Sequence, residues 1–465
     1  MALHRACERA RLDAPGAEPF PSCDPEHCLV DASVATERLQ DALRAEPVRT
    51  VLERARLAGR ARLRWLVIPY LDLSARPADR EARVRWSRCA DRDGGFAQHA
   101  LSAASPSERE SVRRRWTRAV DELDDCLEQR LLDAERAAVR AGACDVPELL
   151  RGPRESSDGE LLGKRAERVW IAPSDDRVLR EARDRLARAE RRLGPLDEGL
   201  ADTILARLAD CNDVGPEPGG WRGIVRRIGS GLGFDPDGRG PRTDSGLVPG
   251  WDVPVWALAP ERPRLALGES VRGPGGGRAA LAALGSALRA SWIRARHGEQ
   301  ALLGIDPACR AAAQALFARL VGCERFADWA GAPRRDSWIA DVRFEQEIEV
   351  RRWWARGGAW LAEAGAPAGE SWRRATGRAD PPDARLLAAR WDVDPLDRLR
   401  GSSYAVLLEE RLRSRWGRAW FADRGAGRWL AEVWDAEALE GPEIVADSWG
   451  LGRMDAAPLI EGYRA

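Results

Sequence analysis

Histidine, tyrosine and methionine are scarce in this chain, at four, three and two residues among 465. So few imidazoles and phenols leave a thin supply of general acids, bases and metal ligands. His4, His27, His99 and His297 stand at no recognised metal-ligand spacing. No G-x-S-x-G elbow is present to carry a hydrolase serine. A surplus of positive charge is also missing, because 74 Lys and Arg residues balance 74 Asp and Glu residues. That balance argues against nucleic-acid and membrane partners, which call for a basic face. No apolar run approaches the roughly 18–20 residues of a membrane span. The nearest, WLVIPYLDL at 65–73, reads as a buried core segment. The opening MALHRACERARLDAPG is charged from Arg5 onward and has no signal-peptide core. Nine cysteines lack framework spacing, which fits reduced thiols and a cytoplasmic location.

What is present is a globular composition, 44% hydrophobic and 32% charged, in a chain long enough for two or three domain-sized units. The first half reads as successive amphipathic helices. Trp116, Val120, Leu123, Leu127 and Leu131 mark one buried stripe at spacings of three and four. A second helix is expected over 174–194, opened by Ser174 and closed by Gly194. Residues 212–252 are rich in turn formers and mark a lobe boundary, so a helical N-terminal lobe over 1–215 and a second lobe over 216–465 are expected. VPVWALA at 253–259 and RLALGES at 264–270 read as two strands. GPGGG at 273–277 then opens a helix over 278–296, and Asp306 caps another reaching Cys323. Twelve of the 20 tryptophans lie at or beyond Trp329, and rings at helical spacing are expected as core and groove walls.

Local motifs give little chemistry. Cys23, His27 and Cys28 in SCDPEHC offer three soft ligands without a second half-site. GSGLG at 229–233 lacks the third glycine and the preceding strand of a dinucleotide loop. DPDGRG at 235–240 carries a fragment of a calcium loop and reads as a turn.

From residue 243 onward the order of features resembles the active-site half of the thimet/oligoendopeptidase-type zinc peptidases. AALGSAL at 282–288 stands where that family reads HELGHAL, after a similar glycine-rich turn and pair of β-like runs. In the family, two histidines at i and i+4 converge on one zinc ion from a single helical face, and the intervening glutamate is the base. A glutamate about 25 residues on is the third ligand. By this resemblance the two histidine positions are Ala282 and Ser286, the base position is Ala283, and the third-ligand position is Ala311 in DPACRAAAQALFARL. VRRWWARGGAWLAEA at 350–364 and DRLRGSSYAVLLEERLRSRWG at 397–417 are similar to later helices of the family. Gly401 is kept there, but the tyrosine positions read Arg398, Ser402 and Ser403, with Tyr404 nearby.

The resemblance implies a mainly α, two-lobed metallopeptidase-like fold with a deep cleft and a small β-sheet beside the former zinc helix. Arg398, Gly401, Tyr404 and His297 are the cleft candidates. It implies no metal, no catalytic residue and no cofactor: a pseudopeptidase whose partner is a peptide or another protein. Two alternatives stay open. One is a hydrolase with a relocated site drawn from His297, Glu345, Glu347, Glu349 and Tyr404, although FEQEIEV at 344–350 reads more simply as a solvated helix face. The other is a structural helical scaffold whose cleft is filled by Trp353, Trp354 and Trp360.

Overall fold

The computed structural model describes residues 177–193, 220–234, 242–244, 255–258, 263–266, 273–297, 306–332, 335–361 and 394–454, with Leu459 and scattered positions between Ser105 and Val139. The stripe from Trp116 to Leu131, the Cys23–Cys28 cluster, the 65–73 segment and the side chains of Trp354 and Trp360 lie outside the described residues.

The described part is mainly helical. Helix α1 spans Arg177–Leu193, within the stretch expected from sequence. Helix α2, Gly220–Gly231, lies inside the turn-rich segment. Its Trp221, Ile224, Val225 and Ile228 are buried at i, i+3, i+4 and i+7, and this stripe prevails over the flanking glycines and prolines. GSGLG is therefore the end of a helix, and Gly233, in the left-handed region at φ 81°, turns the chain away from it.

Three short strands follow: β1 (Arg242–Asp244), β2 (Val255–Leu258) and β3 (Pro263–Ala266). β3 is central, antiparallel to β2 with Trp256 opposite Leu265, and parallel to β1 with Thr243 opposite Leu265. β1 was hidden among turn formers; its three residues carry no alternation to read. Leu265 is fully buried in the core on which the sheet meets the next helix.

That helix, α3, runs Gly273–His297, so GPGGG forms its first turns. Glycine is a poor helix former, and tertiary packing supplies the reason for it here. The Trp221 ring fills the space a side chain at Gly277 would need, and its Nε1 donates to the Gly273 carbonyl at 3.1 Å. Helix α4, Pro307–Arg319, is capped by Asp306, whose carboxylate accepts from the Ala308 amide at 2.9 Å. It tightens into a 3-10 turn at Leu320–Gly322 before helices α5 (Glu324–Ala330) and α6 (Arg335–Leu361). Helix α7 spans Asp394–Trp416, α8 spans Arg424–Glu437, and α9 spans Pro442–Ser448.

Helix α1 docks on α6 through Arg185, which pairs with Asp341 at 2.8 Å and stacks on Phe344 at 4.2 Å. Trp420 and Trp434 are among the largest fully buried side chains. Phe317 meets Trp420 edge-on at 5.9 Å between centroids, and Phe326 and Trp329 both pack on Phe421. These tryptophans are core, as their spacing indicated.

Helix α4 lies between α3 and α7, antiparallel to the first and parallel to the second. Gly285 of α3 is pressed against the Ala313 carbonyl and the Phe317 ring. A Cβ at Gly401 of α7 would lie 2.5 Å from the Ala308 oxygen and 2.6 Å from the Ala311 Cβ. Neither gap holds a methyl group. In an open helix Gly→Ala is worth roughly 1 kcal/mol of added stability, so the sign reverses here. Gly285→Ala and Gly401→Ala are each expected to lose about 1–3 kcal/mol in chemical denaturation, the usual cost of overpacking; a gain in either would contradict the packing described.

Candidate functional site

The α3–α4–α7 junction holds the positions singled out from the sequence. On α3, Ala282 is half-buried, and Ala283 and Ser286 are buried. Among the described residues the Ser286 Oγ has no hydrogen-bond partner. On α4, Ala311 is buried with its Cβ facing Gly401 of α7, whereas the positions that meet Gly285 of α3 are Ala313 and Phe317. Gly401 thus marks where α7 approaches α4 most closely. Arg398 is half-buried, its guanidinium 5.6 Å from the centroid of the Trp353 ring. His297 ends α3, with Nε2 2.9 Å from Asp435 Oδ1, an oxygen that also accepts from Trp292 Nε1 at 3.1 Å.

The acidic trio of α6 departs from the expected solvated face. Glu345 and Glu349 both pair with Arg278 of α3, and Glu347 pairs with Arg351 at 2.9 Å with both groups buried. Glu345 and Glu347 are drawn inward by arginines whose charges need compensation away from water, while Glu349 stays half-exposed.

Of the cleft candidates named from sequence only Tyr404 takes part in the central chemistry of the junction; Arg289, Cys309 and Glu437 lie outside the sequence-derived set. Four helices contribute one side chain each: Arg289 from α3, Cys309 from α4, Tyr404 from α7 and Glu437 from α8. All four are buried. Arg289 Nε donates to Glu437 Oε2 at 2.7 Å, joining segments 148 residues apart. Tyr404 and Cys309 sit within the field of Glu437. The Tyr404 hydroxyl, Glu437 Oε1 and Arg289 Nη2 close no hydrogen bond of normal geometry among the described residues.

Burial, reinforced by the negative charge of Glu437, pushes the Cys309 thiol and the Tyr404 phenol well above their ordinary values. Burial and the facing carboxylate therefore both favour the neutral thiol and the neutral phenol. Burial also raises the Glu437 carboxyl, against the opposing pull of Arg289.

Beside this cluster stands a second buried ion network. Arg400 Nη2 meets Asp306 Oδ2 at 2.8 Å and Glu443 Oε1 at 2.8 Å, while its Nη1 meets Asp397 Oδ1 at 3.2 Å. Burial disfavours its charge, but the three carboxylates outweigh that and raise its pKa. Each acid lies at a helix start: Asp306 at the cap of α4, Asp397 in the first turn of α7 and Glu443 in the first turn of α9. The positive ends of three helix dipoles thereby help to offset the acidic excess.

At the positions the resemblance marks, the residues present do not fit a zinc ion. Ala282 offers no donor atom and Ser286 only a neutral hydroxyl. One turn further along the same face, at i+7 from Ala282 and i+3 from Ser286, stands the guanidinium of Arg289. Extending that stripe by one turn in the sequence would have found Arg289. Nothing local signals Glu437, which reaches the site only through tertiary structure.

Because the folded-state pKa of Glu437 is raised, the stability it contributes is fully present below its unfolded value of about 4.3. That stability is lost as pH rises through the folded value. Glu437→Gln should flatten that part of the stability curve between about pH 4 and neutrality. Urea unfolding across that range would show it, and an unchanged slope would assign the pH dependence to other groups.

No family model matches the sequence, and no curated protein matches it. Solved structures do match. An oligoendopeptidase F from Bacillus anthracis str. Ames superposes with a TM-score of 0.55 at 11% identity, over 92% of this chain and 81% of that one. PZ peptidase A, solved with an inhibitor, gives 0.56 at 12% identity over 93% and 83%. A further oligoendopeptidase F structure gives 0.56 at 13% identity, again over 93% and 83%. The chain therefore has the helical fold of the oligoendopeptidase F and PZ peptidase structures.

Proposed function

We propose that this protein is a catalytically inactive relative of the zinc peptidases, acting in the cytoplasm by binding a peptide or a protein partner without cleaving it. The observation that carries the reading is the residue set of α3 on a peptidase fold. Ala282, Ala283 and Ser286 supply neither the two imidazoles nor the carboxylate base that the resemblance calls for. Hydrolysis of an amide needs an activated water and an electrophile for the carbonyl oxygen. A methyl group and a neutral hydroxyl provide neither. Of the candidates for a relocated site, His297 pairs with Asp435, Glu345 and Glu349 with Arg278, and Glu347 with Arg351, while Tyr404 is a buried phenol held in its neutral form by burial and the charge of Glu437. The two-lobe division at residue 215 belongs to the same reading, with the second lobe carrying the degenerate site.

The test uses the purified full-length chain. Elemental analysis after dialysis is expected to find no stoichiometric zinc, and internally quenched peptides of varied sequence are expected to remain intact by mass spectrometry. Titration of the same peptides against the intrinsic tryptophan fluorescence should give saturable binding. One tightly held zinc per chain, with peptide cleavage abolished by a chelator, would overturn the reading.

A further inference from the structure

We propose that the Arg289–Glu437 ion pair stands in for a metal ion, as an internal cation that braces α3 against α8 and keeps divalent cations out of the junction. The exclusion half rests on the reading of α3 as a former zinc helix; the brace half does not.

Three observations converge on the pair. Arg289 shares one face of α3 with Ala282 and Ser286, the positions where ligands would stand, so its charge sits beside the place a cation would occupy. Its guanidinium is only 5% exposed and its partner carboxylate 1%, which leaves little solvent to screen either charge. The partner is on α8, so the pair links two elements otherwise remote in sequence, as a metal with ligands from separate helices would.

The surroundings agree in sign. Glu437 is the carboxylate that faces Arg289, and Asp306 lies near enough to act on Glu437. Cys309 and Tyr404 complete the enclosure as neutral groups, and Arg400 compensates Asp306. The enclosure thus already contains one cation matched to Glu437. A divalent ion arriving at 282 and 286 would meet a guanidinium one turn away, with the facing carboxylate already engaged by it, in a medium that screens poorly. Among the described residues Arg289 Nη2 closes no hydrogen bond, while the Glu437 carboxylate also interacts with the Tyr404 hydroxyl. One hydrogen bond, from Arg289 Nε to Glu437 Oε2, joins the two charges.

The brace is tested by a double-mutant cycle in the full-length protein. Arg289→Met should lower Tm by about 5 °C or more by leaving a buried carboxylate without its partner. Arg289→Met with Glu437→Met should recover most of that loss, because an apolar pair of similar volume replaces a buried ion pair at little cost. Losses that simply add would overturn the brace. The exclusion is tested by zinc affinity in chelator competition, comparing A282H/S286H with A282H/S286H/R289A. Removal of Arg289 should tighten zinc binding at least tenfold; a smaller gain, including no measurable binding in either variant, would overturn it. Thermal melts of both variants confirm that folded protein is being compared. The zinc content of the unmodified protein bears only on the inactive-peptidase reading, so the two ideas can fail separately.

Discussion

Helix α4 is gripped on both sides, by α3 at Gly285 and by α7 at Gly401, and both contacts are closer than any side chain allows. The rest of the described structure is arranged around that constraint. Because α4 runs antiparallel to α3 and parallel to α7, Cys309 is brought to Arg289, and Asp306 to Arg400. A displacement of α4 by even one methyl group would separate charges whose compensation depends on contact distance. Small residues at the junction and the ion pairs around it are therefore one design. Close packing excludes water, and the excluded water obliges each charge to find its partner within the protein.

The elements with a strong local pattern were legible in the sequence. α1 and α4 were visible from spacing, caps and charge, α7 through the family resemblance, and β2 and β3 as short apolar runs set apart by prolines. α2 was obscured because its apolar stripe is flanked by glycine and proline on both sides. The start of α3 was read as a turn because five residues of GPGGG have low helix propensity, and only the Trp221 ring lying on Gly277 explains their helical state. The site divides in the same way. The residue types at 282–286 are printed in the chain, so what they could and could not coordinate was legible in the sequence. The compensating chemistry was not, since an arginine and a glutamate 148 residues apart carry no mark of their contact.

The acidic residues of α6 show why. Glu345, Glu347 and Glu349 alternate with apolar neighbours in a pattern that suits a wet helix face. What decides their state is the position of Arg278 on another helix and Arg351 one turn along. In a chain with 74 basic residues, nearly all arginine, a buried carboxylate has many partners to find. Arginine suits that role, because its planar donors satisfy two acids at once and its charge persists when desolvated. Arg278 and Arg400 each hold more than one carboxylate in this way.

The two networks at the junction differ in kind, and the difference bears on function. Arg400 is saturated by three carboxylates, each at the start of a helix, so it fixes the beginnings of α4, α7 and α9 to one point. That is an architectural knot, with no donor left over for a ligand to claim. Among the described residues Arg289 makes one bond to one carboxylate and leaves an Nη2 donor unused, three residues along the helix from Ser286. Unsatisfied groups in a dry interior are costly and persist where a former or present role maintains them. On the reading proposed above, the small side chains at 282, 283 and 286 would remove the chemistry of hydrolysis while leaving the helices of a peptidase fold in place. On the same reading, the Arg289–Glu437 pair next to them is what would distinguish a site that has exchanged one cation for another from one that has merely been filled.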